Sequence, residues 1–193
     1  MAGVVVFLAS HGLTDAAEYY FVTQDGSASE VRKLIAAQAA GTRLPEGALP
    51  SLLSGTEVMA VLRRLPGRRV LILDTCHAAA LGNSDPYSLI KRSASAELAV
   101  VSAARGDQSS YDSTEQPHGI FTLAMIRALT NPALAPRGRL TLRGAFDSAL
   151  PQVEAMLRQL RERTRDPVRR AAIKQTPVIS ASGVLESSVL GMR

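Results

Sequence analysis

The chain has 193 residues, of which 46% are hydrophobic, and a mean hydropathy of +0.07; these values predict one soluble globular domain with a substantial core. The net charge of +5 comes mainly from arginines, many of them in the segment LRQLRERTRDPVRRAAIK. We interpret this segment as a solvated helix face rather than a nucleic-acid surface, because the chain has no tryptophan and only 4% aromatic residues for stacking on bases. No apolar run approaches the roughly 18–20 residues of a membrane span, and MAGVVVFLAS lacks the basic leader and cleavage site of a signal peptide, so we expect a cytoplasmic protein without membrane contact.

Strands and helices alternate along the chain. Residues 4–9 form a strand rich in β-branched residues, and residues 56–65 have apolar residues at helical spacing before Pro66-Gly67. The other predicted strands are 19–23, 69–73, 98–104 and 176–180; the other predicted helices are 30–40 behind a Ser29 cap, 120–129 and 142–163; 41–54 and 79–96 are predicted loops. Aliphatic strands separated by helices predict an α/β fold with a mostly parallel sheet covered on both faces.

Candidate chemical groups follow two of these strands. SHG, at 10–12, ends the first strand, and DTCH, at 74–77, follows 69–73. Loops at the carboxyl ends of parallel strands form the binding crevice, so the imidazole of His11 and the thiol of Cys76 can meet there. A histidine can take the thiol proton, and the thiolate attacks carbonyl groups. The backbone N–H groups of Gly12 and Cys76 could then hold the oxyanion that develops.

Each of these residues also has a structural interpretation. A lone cysteine, which cannot form an internal disulfide, is most often core packing, and a lone histidine is most often a hydrogen-bonded structural residue. The position of both at strand ends favours a dyad of His11 and Cys76. His77 is the competing base, but we expect the side chain of an immediate neighbour of Cys76 to point elsewhere. The single cysteine and the three histidines, His11, His77 and His118, are not spaced along the sequence as metal ligands usually are.

Taken in order, the motifs resemble the caspase-like cysteine peptidases, especially the metacaspases and bacterial caspase homologues. SHG and DTCH are followed by SAARGDQSSYD at 102–112, and HGIFTLAMIRAL and QTPVIS extend the resemblance over nearly the whole chain. It implies a caspase-hemoglobinase fold and a cysteine endopeptidase that acts on protein substrates through a thioester. It also implies a dyad of His11 and Cys76 with an oxyanion hole from the amides of Gly12 and Cys76.

The resemblance also implies a substrate preference. In this family the residue two positions before the cysteine lines the pocket for the substrate residue that precedes the cut, and an aspartate there accompanies Arg or Lys specificity. Asp74 therefore predicts cleavage after Arg or Lys, because a partly desolvated carboxylate favours a cationic guest. Ser102 and Asp107 are further candidates for substrate binding. Arg105 leaves an alternative open, since its guanidinium near the cleft would favour an acidic guest unless it pairs with Asp107.

Members of this family usually have about two strands and two helices before the strand that carries the histidine, whereas here that strand begins at Val4. We therefore expect residues 1–193 to form one peptidase domain that corresponds to the C-terminal two-thirds of the usual fold. An N-terminal segment or a partner chain would complete the sheet. No metal or other cofactor is expected. Many metacaspases depend on calcium, but Asp25, Asp85 and Asp112 lack the ordered spacing of a calcium loop.

Two further possibilities concern processing and function class. Lys91-Arg92 lies in the loop that follows the catalytic cysteine, the segment cut during maturation of caspases, and we hypothesise self-cleavage after Lys91 or Arg92; a solvated dibasic pair is the alternative. A catalytically silent adaptor with the same fold is the alternative function. A flavodoxin-like or nucleotide-binding module is disfavoured, because no strand is followed by a glycine-rich phosphate loop.

Overall fold

The computed structural model describes residues 3–76, 98–135, 139–181 and, as strand backbone, 189–192. The strands are, in chain order, β1 (Gly3–Ala9), β2 (Gly12–Thr14), β3 (Tyr19–Phe21), β4 (Leu53–Ser54), β5 (Arg68–Asp74), β6 (Leu98–Ser102), β7 (Arg139–Thr141), β8 (Val178–Ser180) and β9 (Val189–Met192). The helices are α1 (Ala28–Ala40), α2 (Gly55–Arg64), α3 (Ile120–Thr130), α4 (Leu142–Arg163) and α5 (Pro167–Ala172), with a 3₁₀ turn at Pro132–Leu134.

A four-stranded sheet in the order β1-β5-β6-β8 forms the centre of the fold. β1, β5 and β6 are parallel, and β8 is antiparallel to β6. Ala9 pairs with Asp74, and Leu73 pairs with Ser102. The three parallel strands therefore end at nearly the same level, and the residues that follow them share one edge of the sheet. The predicted α/β fold with a mainly parallel sheet flanked by helices is confirmed.

Side chains on the two faces of the sheet build two hydrophobic clusters. Val70 and Ile72 of β5 join a cluster with α3 and α4, whereas Leu71 and Leu73 join a cluster with α2 and β3. Since successive side chains of a strand point to opposite faces, β5 is covered on both sides. This double burial explains its uninterrupted aliphatic sequence and holds the end of β5 rigidly in place.

β1 lies at one edge of the central sheet, and among the described residues it pairs with β5 alone. Its side chains alternate between half-buried and exposed. Val5 is 51% exposed and Phe7 is 43% exposed, on the sheet face whose central part is covered by α3 and α4. No helix in the described residues is both long enough and apolar enough to cross a bilayer.

A second, antiparallel sheet of β2, β3 and β4 stands next to the end of β1. It begins at Gly12, directly after His11, and β4 leads into α2. At the start of α2, Ser54 and Glu57 form a reciprocal capping box. α1 ends at Gly41, which adopts the left-handed conformation with a φ of 61°. α1 contacts β2, and α2 contacts β3 and β4, so the two helices support the small sheet that follows His11.

Candidate active site

A cavity of about 340 Å³ opens at the carboxyl ends of β1 and β5. It lies where the parallel register brings the turns after the two strands side by side. Its lining consists of Ala9, Ser10, His11, Asp74, Cys76, Ser110, Asp112 and Gly119. Three stretches of chain thus supply the site: the end of β1, the end of β5, and the segment between β6 and α3.

The structure brings His11 and Cys76 together on the wall of this cavity, although they are far apart in the sequence. The side chain of His11 is exposed, and that of Cys76 is half-buried. The Cys76 sulfur lies 3.8 Å from the carbonyl oxygen of Ser110, at the distance of a weak S–H···O contact. The thiol is therefore held at the surface of the cavity, where a bound molecule can reach it.

Gly12 is buried directly behind His11 and is not one of the lining residues. The Val22 N–H donates to the His11 carbonyl at 2.9 Å, so these two residues form a hydrogen-bonded pair of the β2–β3 ladder. Hydrogen-bonded pairs alternate with non-hydrogen-bonded pairs in an antiparallel ladder, so the N–H of Gly12 points away from β3. The N–H of Thr14 does the same and donates to the Gln38 side chain at 3.1 Å.

A buried tyrosine lies between the two turns and was not found by sequence reasoning. The Tyr19 hydroxyl lies 2.5 Å from Thr75 Oγ1 and 2.8 Å from the Cys76 carbonyl oxygen. Burial raises the pKa of Tyr19 above its usual value, and the hydrogen bond with Thr75 opposes that rise. The hydroxyl is therefore protonated and able to donate at any physiological pH. In the sequence, Tyr19 has only the signature of a strand residue, which explains why it was missed.

Asp74 is buried at the floor of the cavity, where its carboxylate accepts several hydrogen bonds. The Thr122 N–H donates to it at 3.0 Å, and the hydroxyls of Thr122 and Ser110 donate as well. A Cβ at Gly119 would overlap the carboxylate, so only glycine fits beside it. Asp112, which is exposed, also lines the cavity and bridges to Gly119 through the backbone. The described lining has two carboxylates and no lysine or arginine, which gives the cavity a negative potential.

Gln175 is a buried residue that anchors the segment after β6. Its side-chain oxygen accepts from the Tyr111 N–H at 3.1 Å, and its amide nitrogen lies 3.4 Å from the Ser110 hydroxyl. Because Ser110 in turn donates to Asp74, Gln175 links the chain before β8 to the cavity floor. Gln175 is the first residue of the QTPVIS motif, so that motif is the signal by which the sequence could have identified it.

Two predicted substrate-binding residues are not among the lining residues. Ser102 is buried, and its hydroxyl donates to the Ala104 carbonyl at 3.3 Å. Asp107 has a side chain 66% exposed and lies 3.6 Å from the guanidinium of Arg105. Arg105 does not line the cavity either. The sequence left an acidic substrate residue open unless Arg105 pairs with Asp107. The structure has this pair, so the prediction of a basic substrate residue is the one that applies.

Several sequence predictions fall on residues outside the described ranges. His77, Lys91, Arg92 and Asp85 are among them. Within the described ranges, no group of three or more His, Cys, Asp or Glu side chains is arranged to hold a metal ion. His118 and Asp25 are exposed. The expectation that no metal or other cofactor is needed stays a prediction, and the calcium dependence of many metacaspases is not tested by these residues.

Comparison with protein-family models gives a match to the caspase domain over residues 2–187. The matched span contains every described helix and all residues that line the cavity. No curated protein matches the chain.

Proposed function

The chain belongs to the caspase domain family of cysteine peptidases, and on that premise we propose that it is a cysteine endopeptidase with Cys76 as nucleophile and His11 as general base and acid. The observation that carries the proposal is the shared cavity, which has an imidazole and a thiol on its wall and a buried carboxylate at its floor. Its substrates are proteins, as the family implies.

The reaction proceeds in two stages. His11 takes the thiol proton, and the Cys76 sulfur attacks the carbonyl carbon of the scissile peptide bond, which forms a C–S bond and a tetrahedral oxyanion. The C–N bond then breaks as the imidazolium of His11 gives its proton to the leaving amine. Water attacks the resulting thioester while His11 takes a proton from it. The C–S bond breaks, the carboxylic product leaves, and the imidazolium of His11 returns the proton to the Cys76 sulfur.

The oxyanion is held by the backbone N–H groups of Gly12 and Cys76. Support comes from the direction of the Gly12 N–H, which points away from its ladder partner strand and is not used within the β2–β3 ladder. Cys76 lies in the turn directly after β5. Fixed backbone donors of this kind stabilise charge only as it develops, so they raise kcat rather than affinity.

The pocket selects arginine or lysine as the residue before the cleaved bond. Asp74 at the floor and Asp112 at the wall offer two carboxylates to a cationic side chain. A buried carboxylate attracts a cationic substrate side chain and repels an anionic one, because bulk water does not screen the charges there. Arg105 opposes this preference only if it turns into the cavity, and it lies instead beside Asp107.

Turnover of matched peptides that carry Arg, Lys or Asp before the cleavable bond tests this function. We expect cleavage after Arg and Lys, and none in a Cys76→Ala variant that stays folded. Faster cleavage after Asp contradicts the proposed pocket. A folded wild-type protein that cleaves none of the peptides, with or without calcium, supports the alternative of a silent adaptor.

Self-cleavage after Lys91 or Arg92 follows from the same pocket. Both residues lie outside the described ranges, but the flanking strands β5 and β6 pair in register from Arg69 to Leu73, so the two fragments would stay associated. Mapping of fragment ends by mass spectrometry, with the active protein beside Cys76→Ala, tests this. The hypothesis of self-cleavage is contradicted if an active preparation contains only the intact chain, or if the Cys76→Ala variant is cut when it is incubated by itself.

The exposed edge at β1 supports one further proposal, that a strand of an N-terminal segment or of a partner chain pairs there. Val5 and Phe7 present apolar surface at that edge, and the strand GVVVFLA has no charged residue to discourage pairing. Edge strands of folded proteins are usually short, charged or covered. Pairing at this edge would extend the sheet without touching the cavity wall formed by Cys76.

A further inference from the structure

The Tyr19 side chain connects the two turns that supply the proposed oxyanion hole. It is fully buried, and its ring packs edge-to-face against Phe21 with 5.0 Å between the ring centroids. The ring is thus held in one place by the core cluster next to α2. Its hydroxyl reaches the turn after β5, where it meets both Thr75 and the Cys76 carbonyl.

Counting protons fixes the direction of these two hydrogen bonds. A tyrosine hydroxyl has one proton, and a backbone carbonyl can only accept. Tyr19 therefore donates to the Cys76 carbonyl and accepts from the Thr75 hydroxyl. The Thr75 side chain and the Cys76 carbonyl flank the Cys76 N–H, so both sides of that amide are tied to one buried oxygen. Displacement of Thr75 or Cys76 away from the Tyr19 ring would break one of the bonds.

The same oxygen also packs against the other turn. A Cβ added to Gly12 would overlap the Tyr19 hydroxyl oxygen and would collide with the Cys76 carbonyl oxygen. The backbone at Gly12, the Tyr19 hydroxyl and the backbone at Cys76 are thus in direct contact. One hydroxyl sets the spacing between the two backbone segments whose amides are to bind the oxyanion.

From these contacts we infer that Tyr19 is a positioning residue, whose hydroxyl fixes the amides of Gly12 and Cys76 at the spacing that a tetrahedral intermediate requires. The inference rests on the proposed function of His11 and Cys76. Tyr19 itself does not line the cavity and touches no substrate. It acts through the backbone, so its loss affects the step in which the oxyanion forms and leaves the nucleophile itself unchanged.

The Tyr19→Phe variant tests the inference, because it removes the hydroxyl and keeps the buried ring. We expect kcat for an arginine peptide to fall about tenfold or more, with KM within about twofold of the wild type. Affinity for a peptide aldehyde, which forms a hemithioacetal with Cys76 and places an oxyanion in the hole, is expected to fall by a similar factor. The rate of Cys76 alkylation by iodoacetamide, a reagent that needs no oxyanion hole, stays unchanged across pH.

The matched control is Tyr20→Phe, the same chemical change at the next residue. Tyr20 points to the opposite face of β3, where it lines a separate cavity together with Leu44 and Glu46. We expect this control to keep kcat and aldehyde affinity. Thr75→Val, which removes only the donor to Tyr19, is the second test variant; it is expected to show the same pattern as Tyr19→Phe, and Thr75→Ser is expected to restore activity.

The outcomes separate this inference from the proposed function. An active wild type whose Tyr19→Phe and Thr75→Val variants keep kcat and aldehyde affinity contradicts the role of Tyr19 alone. A fall in kcat that is matched by an equal fall in the iodoacetamide rate contradicts it too, since the hydroxyl would then act on the thiol. A folded wild type with no activity and no reaction between Cys76 and the aldehyde contradicts the proposed function and this inference together.

Discussion

At the scale of single residues, the site depends on groups that carry no reactive atom. Cys76 and His11 stand out in the sequence because thiols and imidazoles have recognisable chemistry. Tyr19 and Gln175 do not, since their importance comes from contacts with Cys76 and Ser110 that only the fold creates. Gly12 is an intermediate case: the sequence identifies a turn there, and the structure adds the reason why a side chain does not fit.

Gly12→Ala is predicted to disrupt the site. The added methyl group would overlap the Tyr19 hydroxyl and the Cys76 carbonyl, and overpacking of this kind costs roughly 1–3 kcal/mol. We expect a lower unfolding midpoint together with loss of peptidase activity. Gly3→Ala, at the first residue of β1, is the control, because its added Cβ would meet no atom closer than 3.4 Å. Equal stability and activity of the two variants would contradict the proposed contact.

Asp74→Asn is predicted to weaken selection for basic residues. The change keeps the size of the side chain but removes the charge, and an ionic hydrogen bond contributes about 1.5–3 kcal/mol. We expect turnover of an arginine peptide to fall roughly 10- to 100-fold, mainly through KM, and discrimination against an aspartate peptide to shrink. Asp112→Asn, at the exposed wall, is expected to have a smaller effect. A variant with unchanged preference would exclude Asp74 from the pocket.

At the scale of helices and strands, long periodic segments were predicted well and short ones were not. The 142–163 helix has the predicted limits because its apolar spacing persists over many turns. β2, β4 and β7 have only two or three residues, too few to show a period, and they exist because neighbouring strands offer hydrogen-bonding partners. α1 begins after Ser27 rather than Ser29, since the Val31 N–H already donates to the Ser27 carbonyl.

Ser54→Ala is predicted to destabilise α2 by about 1 kcal/mol, the usual loss for an N-cap serine. The hydrogen bonds from Ser54 lower the pKa of Glu57. A lowered pKa means that this contribution is complete above the ordinary pKa of a glutamate and is lost as the pH falls through the lowered value. In urea unfolding, the difference between wild type and variant is therefore expected to shrink in acid. Ser29→Ala, where the sequence predicted a cap, is expected to change little; a pH-independent difference at Ser54 would contradict the capping box.

At the scale of the whole molecule, the parallel register explains why two distant motifs form one site. Ala9 and Asp74 pair at the ends of β1 and β5, so the residues that follow them must be neighbours. The sequence could predict this because aliphatic strands and their polar ends are local signals. It could not predict the position of the segment between β6 and α3, which depends on the hydrogen bond from the Tyr111 N–H to Gln175 and on the one from the Ser110 hydroxyl to Asp74.

An unpaired strand edge can pair with the same edge of a second copy of the chain. The exposed edge of β1 therefore predicts self-association of the 20.5 kDa chain. Phe7→Lys places a charge at an edge position, which discourages strand pairing, so we expect light scattering to show a shift towards the single-chain mass. Val168→Lys, at an exposed apolar residue of α5, is the control and is expected to leave the mass unchanged. A monodisperse wild-type protein of single-chain mass that unfolds cooperatively would contradict the proposed pairing at β1.

Covalent labelling of Cys76 by peptide electrophiles is the most direct test of the account, because it examines the nucleophile and the pocket at once. Two chloromethyl ketones that differ only in arginine or aspartate at the terminal residue are incubated with wild type, His11→Ala and Asp74→Asn, with and without calcium, and the modified residue is mapped by mass spectrometry. The account predicts fast labelling of wild-type Cys76 by the arginine reagent, slow labelling of His11→Ala, and loss of the preference for arginine in Asp74→Asn. Preferential labelling by the aspartate reagent, or labelling of Cys76 at the same rate in wild type and His11→Ala, would contradict it.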